Sequence, residues 1–190
     1  MELELAANAE AVSGLSRLKP LAASRNGRPR TQSVKMVWHD SPEHALLQDG
    51  LILAEQRGVR RLERVFPGAD TWLPGQPVPV VPDLPALPSP LAPLAAFEGR
   101  QTASVHQFGE QTVTVTVAKG ILRSVTAEQP VARIWLSGEE QAVRAMAALI
   151  AGAAPVSVPV VSLAADGIAL ATGRPATLRH DGAPRLPQAG

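Results

Sequence analysis

Short segments in which apolar and polar residues alternate predict that the chain is built mainly from β-strands. The clearest segment is residues 112–117, where threonine and valine alternate, and residues 1–6 alternate in the same way at the N-terminus. Residues 51–53 and 59–66 predict two strands that form a hairpin about Gly58. The other strands are predicted at residues 34–40, 101–108, 121–126, 131–136, 156–161 and 167–171.

Three helices are predicted between these strands. Asn8 can cap a short amphipathic helix. A second helix is predicted to begin at residues 41–43, which read Ser-Pro-Glu, and to end at Gly50. A third follows the Ser-Gly-Glu-Glu capping box at residues 137–140 and ends at Gly152. Short, mostly antiparallel strands with three helices indicate an α+β fold with a curled or closed sheet.

Glycine and proline predict the irregular segments. The basic residues 24–31 contain both and favour a turn or loop, and Lys119–Gly120 favours a turn. Eight of the 18 prolines fall within residues 74–93, which cannot form a continuous hydrogen-bond ladder and should be an extended loop. This loop either packs over the surface or docks a partner that recognises polyproline. Residues 173–190 lack an apolar period and are predicted to be a basic linker or a disordered tail.

The composition is that of a globular domain and excludes several functions. Hydrophobic residues make up 45% of the chain and the net charge is +1, so no overall charge attracts nucleic acid or a membrane surface. Aromatic residues are only 3%, which argues against platforms for stacking bases. The acidic start at Glu2 and Glu4 does not resemble a signal peptide, and the expectation is a soluble, cytoplasmic protein.

Several kinds of catalytic site lack support in the sequence. The chain has no cysteine, which excludes disulfides, thiolate zinc sites and cysteine catalysis. His39 and His44 have no third ligand at a spacing typical of zinc. Ser104, Ser157 and Ser162 lack the glycine pattern of a nucleophile elbow, and glycine-rich phosphate loops are absent.

Six blocks, in order, resemble those of the CYTH domain, the triphosphate tunnel metalloenzyme family. Glu2-x-Glu4 resembles the family's ExExK signature, Trp-His-Asp-Ser-Pro at 38–42 resembles its Tyr-Tyr-Asp-Thr-Pro block, and residues 46–53 resemble its helix-to-strand step. Phe-Glu-Gly-Arg at 97–100 resembles its basic strand, and residues 113–120 resemble its next strand and turn. Ser-Leu-Ala-Ala-Asp-Gly-Ile-Ala-Leu at 162–170 resembles its closing Ser-Lys-Ala-x-Arg-Gly-Tyr-x-Leu block. The resemblance covers residues 1–172. It implies an antiparallel eight-stranded β-tunnel with a few flanking helices, in which acidic residues bind Mg²⁺ or Mn²⁺ and Lys and Arg residues bind a triphosphate.

Most of the charged positions that this resemblance implies are empty here. The residues in their place are Ala6 for a lysine, Ala54 and Gln56 for two arginines, a position near Phe66 for a lysine, and Leu163 and Asp166 for a lysine and an arginine. The strand that should carry alternating glutamates reads Arg-Ile-Trp-Leu-Ser at 133–137. Two remaining carboxylates can hold hydrated Mg²⁺ only weakly. The resemblance is therefore to a degenerate member of the family, with no catalytic residue and no confident metal site.

The surviving charged residues are the candidates for any retained site. Glu2 and Glu4 are vestigial metal-binding candidates, or simply the polar face of an edge strand. Arg100, Lys35, Arg61 and Arg64 are the phosphate-binding candidates. Asp40 is better explained as a cap or turn residue than as a ligand.

Three functions remain open from the sequence. The first is a non-catalytic scaffold or (poly)phosphate-binding interaction module without a cofactor, of the type found upstream of a helical CHAD module. The second is a Mg²⁺- or Mn²⁺-dependent inorganic triphosphatase with a remodelled site, which a tunnel plugged by Trp135, Phe66 and Leu163 would contradict. The third is a carrier of a small apolar ligand, because a tunnel without charges can become an apolar pocket.

Overall fold

The computed structural model describes residues 1–15, 17–65, 80–81, 87, 90–159 and 161–173. Within them the chain forms nine strands and five helices. In chain order they are β1 (Glu2–Ala7), α1 (Val12–Leu15), α2 (Lys19–Ser24), β2 (Arg25–Asp40), α3 (Ala45–Gln48), β3 (Leu51–Gln56), β4 (Val59–Arg64), β5 (Val80–Val81), β6 (Ala92–Phe108), β7 (Gln111–Ser124), β8 (Glu128–Gly138), α4 (Glu140–Ala153), β9 (Val156–Ser157) and α5 (Leu163–Thr172). No helix in these ranges is both long and apolar enough to span a membrane.

The strands form one antiparallel sheet in the order β5-β4-β3-β2-β6-β7-β8-β1-β9. Two of the nine, β5 and β9, have only two residues each. Side chains from β1 and from β4 and β5, near opposite ends of this order, line one cavity, so the sheet curls into a tunnel. The predicted α+β fold with an antiparallel β-tunnel is confirmed.

Each long strand has an inner face toward the tunnel and an outer face away from it. The inner face carries Trp38, Phe97 and Leu122, and it packs against α5. The outer face of β1, β7 and β8 carries Leu5, Val115 and Leu136, which pack against α1, α2 and α4. A smaller cluster of Leu46, Leu53 and Leu62 covers the outer face of the β3–β4 hairpin. Alternate residues of the same strands therefore contribute to separate cores.

A pair of glycines lies in the ladder between the neighbouring strands β6 and β7. Gly99 is directly opposite Gly120 in the ladder. A Cβ on Gly99 would lie 2.3 Å from the carbonyl oxygen of Lys119, and one on Gly120 would lie 2.2 Å from that of Glu98. The two backbones approach so closely that neither position can hold a side chain.

The β3–β4 hairpin about Gly58 is confirmed, with Arg57 and Gly58 both at positive φ. The strand predicted at residues 167–171 is wrong, because these residues belong to α5. The hydroxyl of Ser162 accepts a hydrogen bond from the Ala165 amide at 3.2 Å, and Gly173, at φ +66°, ends the helix. The strand predicted at 156–161 is reduced to β9.

The loop predicted at residues 24–31 is also wrong, because β2 begins at Arg25. A break in register between Asn26 and Arg30 accommodates Pro29, and this part of β2 pairs only with β6 among the described strands. The turn predicted at Lys119–Gly120 lies inside β7. Of the proline-rich residues 74–93, Val80 and Val81 pair with β4 and 92–93 begin β6, while 74–79, 82–86 and 88–89 lie outside the described residues, as do 174–190.

Candidate functional site

The tunnel contains a cavity of about 380 Å³ with a mostly apolar wall. Trp38, Phe97, Trp135 and Leu163 are among its lining residues. Its polar lining residues within the described ranges are Glu4, Gln56, Arg61, Glu63 and Gln101. Trp135 and Leu163 thus lie where the sequence places them, and Phe66 lies outside the described residues.

Two buried charged residues, Glu4 and Arg133, form a cluster with the half-buried Asp166 at the side of this cavity. Arg133 of β8 is only 7% exposed and contacts two carboxylates. Its Nε lies 3.1 Å from Oε1 of Glu4, on the adjacent strand β1, and its Nη2 donates a hydrogen bond to Oδ2 of Asp166, in the first turn of α5. The cluster joins the first strand to the last described helix. One guanidinium therefore binds both carboxylates.

Burial raises the pKa of both acids. It raises the pKa of Glu4 to about 7, because desolvation outweighs the attraction of Arg133 and a hydrogen bond from Trp135. Burial also raises the pKa of Asp166, and Arg133 opposes that rise. Near neutral pH, Glu4 is therefore part protonated and part ionised.

A second ion pair lies at the tunnel wall formed by β4. Nε of Arg61 is 2.5 Å from Oε1 of Glu63, two residues along the same strand face. Glu63 is 4% exposed, and Arg61 reaches toward solvent. Arg61 is the one phosphate-binding candidate on the inner face, and its charge is already neutralised by a carboxylate.

The structure does not bring the other predicted site residues into the cavity. Glu2 is exposed near the start of β1, where it accepts a hydrogen bond from the Ser137 hydroxyl at 3.4 Å. Lys35 lies on the outer face of β2, where its Nζ is 2.7 Å from Oε1 of Glu98. Arg64 is exposed on the face of β4 opposite Arg61, and Arg100 lies on the outer face of β6.

Asp40 is a cap, as the sequence indicates. Its Oδ1 accepts hydrogen bonds from the amides of Ser41 (2.7 Å) and Leu46 (2.9 Å), and its Oδ2 accepts one from Leu47 (3.1 Å). The helix predicted to begin at residues 41–43 is shorter, because the chain turns at His44, in the left-handed region, before α3 begins at Ala45. The capping box at 137–140 is not formed either. The N-cap of α4 is Glu139, and its side chain accepts no hydrogen bond from the backbone amides of the helix.

Sequence reasoning missed the pairing of Arg133 with Asp166. Two signals were present, because each residue reverses the sign of charge that the family resemblance implies at its position. A compensating pair of reversals is a signal of contact, but it requires knowing that α5 packs against β6 and β7, next to β8. Sequence reasoning also missed Trp38, whose buried Nε1 has no hydrogen-bond partner among the described residues.

Comparison with solved structures supports the fold and leaves the chemistry open. HpAC1 from Hippeastrum, a proposed adenylyl cyclase with a dominant triphosphatase activity, aligns with TM-score 0.53 and 12% identity over 94% of this chain and 98% of that one. The PH1819 protein from Pyrococcus horikoshii aligns with TM-score 0.40 and 9% identity over 84% of this chain and 94% of that one. A proposed adenylate cyclase from Bacillus halodurans aligns with TM-score 0.37 and 10% identity over 86% and 95%. No family model and no curated protein matches the sequence.

Proposed function

We propose that this chain is a non-catalytic CYTH-like module, in which an internal ion cluster replaces a metal–triphosphate site. The observation that carries the proposal is the position of Arg133 between Glu4 and Asp166. A guanidinium bound by two carboxylates offers no net positive charge to an incoming phosphate. Glu4 and Asp166, for their part, both lie against this guanidinium, which puts a positive charge between the two acids.

The residues present do not fit the Mg²⁺ or Mn²⁺ that the family resemblance implies. Such ions take six or more hard oxygen ligands, part of them carboxylates. Glu4 and Asp166 contact Arg133, and Glu63 contacts Arg61. Within the described ranges, no three acidic or histidine side chains are placed to share one ion. No hydrolytic step through a metal is therefore derived.

The balance of charge also disfavours a triphosphate in the tunnel. Among the described residues of the cavity wall and of the ion cluster beside it, two arginines are matched by three acidic side chains, of which Glu4 is part protonated near neutral pH. A triphosphate carries several negative charges and would lose its water against a mostly apolar wall. No unpaired arginine or lysine among the described lining residues offsets the cost of that desolvation. The balance of charge therefore supports a structural role for the tunnel.

The test is phosphate release from tripolyphosphate with Mg²⁺ or Mn²⁺, with the Hippeastrum protein as positive control. The wild type should release phosphate no faster than buffer. Turnover that is lost in the Glu2→Ala/Glu4→Ala double variant, or in Arg61→Gln, would overturn the proposal. Calorimetric titration with tripolyphosphate in the absence of metal tests the (poly)phosphate-binding form of the proposal separately.

The alternative is an active triphosphatase with a remodelled site. It is favoured by the structural likeness to HpAC1 and by Arg61 at the tunnel wall. Carriage of a small apolar ligand in the tunnel is favoured by the apolar wall. Association with a CHAD-type module and a cytoplasmic location stay predictions.

A further inference from the structure

A second cavity, which we name the outer cavity, lies on the other side of the sheet from the tunnel. Its volume is about 470 Å³, in the range of small-molecule sites. The outer face of β6 and β7 forms its floor, and α1, α2, α4 and the first part of β2 enclose it. It is bounded by Leu15, Arg25, Arg100, His106, Val115 and Lys119.

The charged groups of the outer cavity are all basic. Arg25, Arg100 and Lys119 line it, and no carboxylate does so among the described residues. Arg100 and Lys119 are directly opposite each other across the β6–β7 ladder. Nζ of Lys119 donates a hydrogen bond to the hydroxyl of Ser13 at 2.6 Å, and neither Lys119 nor Arg100 forms an ion pair with a described residue. This region therefore attracts an anion.

A buried polar residue fixes one side of the outer cavity. His106 is 2% exposed, with Nδ1 2.9 Å from the hydroxyl of Ser24 and Nε2 2.9 Å from the hydroxyl of Ser104. A hydrogen bond between the ring and the Leu21 backbone also holds the imidazole in place, and the tautomer sets which of the two hydroxyls donates to the ring. Burial and the nearby Arg25 lower the pKa of His106, which keeps the ring neutral. The ring and Ser104 thus supply fixed polar atoms without adding charge.

The rest of the wall requires an apolar part in any ligand. Val12, Leu15, Leu21, Val115 and Ile150 line the cavity and belong to the core behind it. A multiply charged inorganic anion would lose its hydration against this surface, whereas an aliphatic chain gains by contact with it. Basic groups at one side and an apolar wall at the other fit an amphipathic ligand.

We propose that the outer cavity binds a small organic anion consisting of a single carboxylate on an aliphatic chain. Arg100 and Lys119 hold the carboxylate, and the aliphatic chain lies against the wall formed by α1, α4 and β7. The site is independent of the tunnel, because the sheet separates the two cavities. Its ligand chemistry also differs from that of a triphosphate.

The test is calorimetric titration of the full chain with octanoate, octanol and inorganic phosphate. Octanoate should bind at least tenfold more tightly than either other probe, because it alone has both the charge and the chain. The double variant Arg100→Gln/Lys119→Met should weaken octanoate binding at least tenfold, which is the loss of one or more charge-assisted hydrogen bonds. Arg144→Gln removes an exposed charge from α4 outside the cavity and should leave binding unchanged.

Three results would overturn the proposal. The first is no octanoate binding by the wild type. The second is equal binding of octanol or phosphate, which would assign the site to apolar contact or to charge alone. The third is octanoate binding that the double variant leaves intact, which would show that Arg100 and Lys119 do not hold the carboxylate. The single variant Arg100→Gln changes an exposed side chain and keeps the test valid if the double variant unfolds.

Discussion

Arg133 illustrates how one buried side chain is tolerated only through its neighbours. A guanidinium that is 7% exposed would be costly alone, and removing either partner of a buried ion pair typically costs several kcal/mol. Here Glu4 and Asp166 each carry part of the compensation. The same burial acts on Glu4, whose carboxylate has lost its water as well.

The altered pKa of Glu4 predicts a pH dependence of stability. Its pKa is raised from 4.5 to about 7 in the folded chain, so between these values the folded state binds more protons than the unfolded state. Stability is then lost as the pH rises. The free energy of unfolding of the wild type, minus that of Glu4→Gln, should fall by about 3 kcal/mol from about pH 4 to about pH 8, at 1.36 kcal/mol per pKa unit.

Urea denaturation at a series of pH values measures this difference. Glu2→Gln is the matched control, because it removes an exposed carboxylate from the same strand. A difference between the wild type and Glu4→Gln that stays flat with pH, or that rises, would show that burial does not raise the pKa of Glu4.

The elements differ in how far the sequence predicts them. The hairpin about Gly58 follows from local turn chemistry, because Arg57 and Gly58 adopt positive φ between two strands that pair residue by residue. The last helix is different: residues 167–171 are apolar enough for a buried strand, and only Ser162 and Gly173 mark them as a capped helix. The turn predicted at Lys119–Gly120 is wrong for another reason. Glycine there serves a close approach to Gly99, which is distant in sequence.

The close approach of Gly99 and Gly120 gives a prediction for β7. Gly120→Ala should destabilise the fold by about 1–3 kcal/mol or more, as overpacking does, because the new methyl would meet the Glu98 carbonyl, which cannot move without breaking the ladder. Thermal and urea unfolding measure the change. Gly14→Ala in α1 is the control, since nothing lies within 4 Å of its Cβ and alanine favours a helix by about 1 kcal/mol. Equal effects of the two variants would contradict the close approach.

At the scale of the whole molecule, the α+β tunnel follows from the order of the sequence blocks, whereas the content of the tunnel does not. Ala54, Gln56, Trp135 and Leu163 lie on the tunnel side, where the family resemblance implies charged residues. The sequence therefore indicated that those charges are missing. It could not indicate that Arg133 and Asp166 meet, because that contact depends on the packing of α5 against the sheet.

The sheet itself should be unevenly stable. The long strands β6, β7 and β8 pair along most of their length and carry fully buried residues such as Leu122 and Ile134. β5 and β9 pair through two residues each. In native-state hydrogen exchange, the amides of β7 should exchange only on global unfolding, while those of Val80 and Val156 exchange through local opening. Equal protection of β5 and β7 would contradict this order.

The ion cluster also bears on how readily such a chain could change its chemistry in evolution. The two carboxylates that Arg133 separates come from opposite ends of the described chain and converge on one point. Without that arginine the two acids would lie near each other with no cation beside them, and carboxylate oxygens are the ligands that divalent cations select. A single substitution of Arg133 would therefore convert an internal salt bridge into two neighbouring carboxylates, which is a first step toward a cation site.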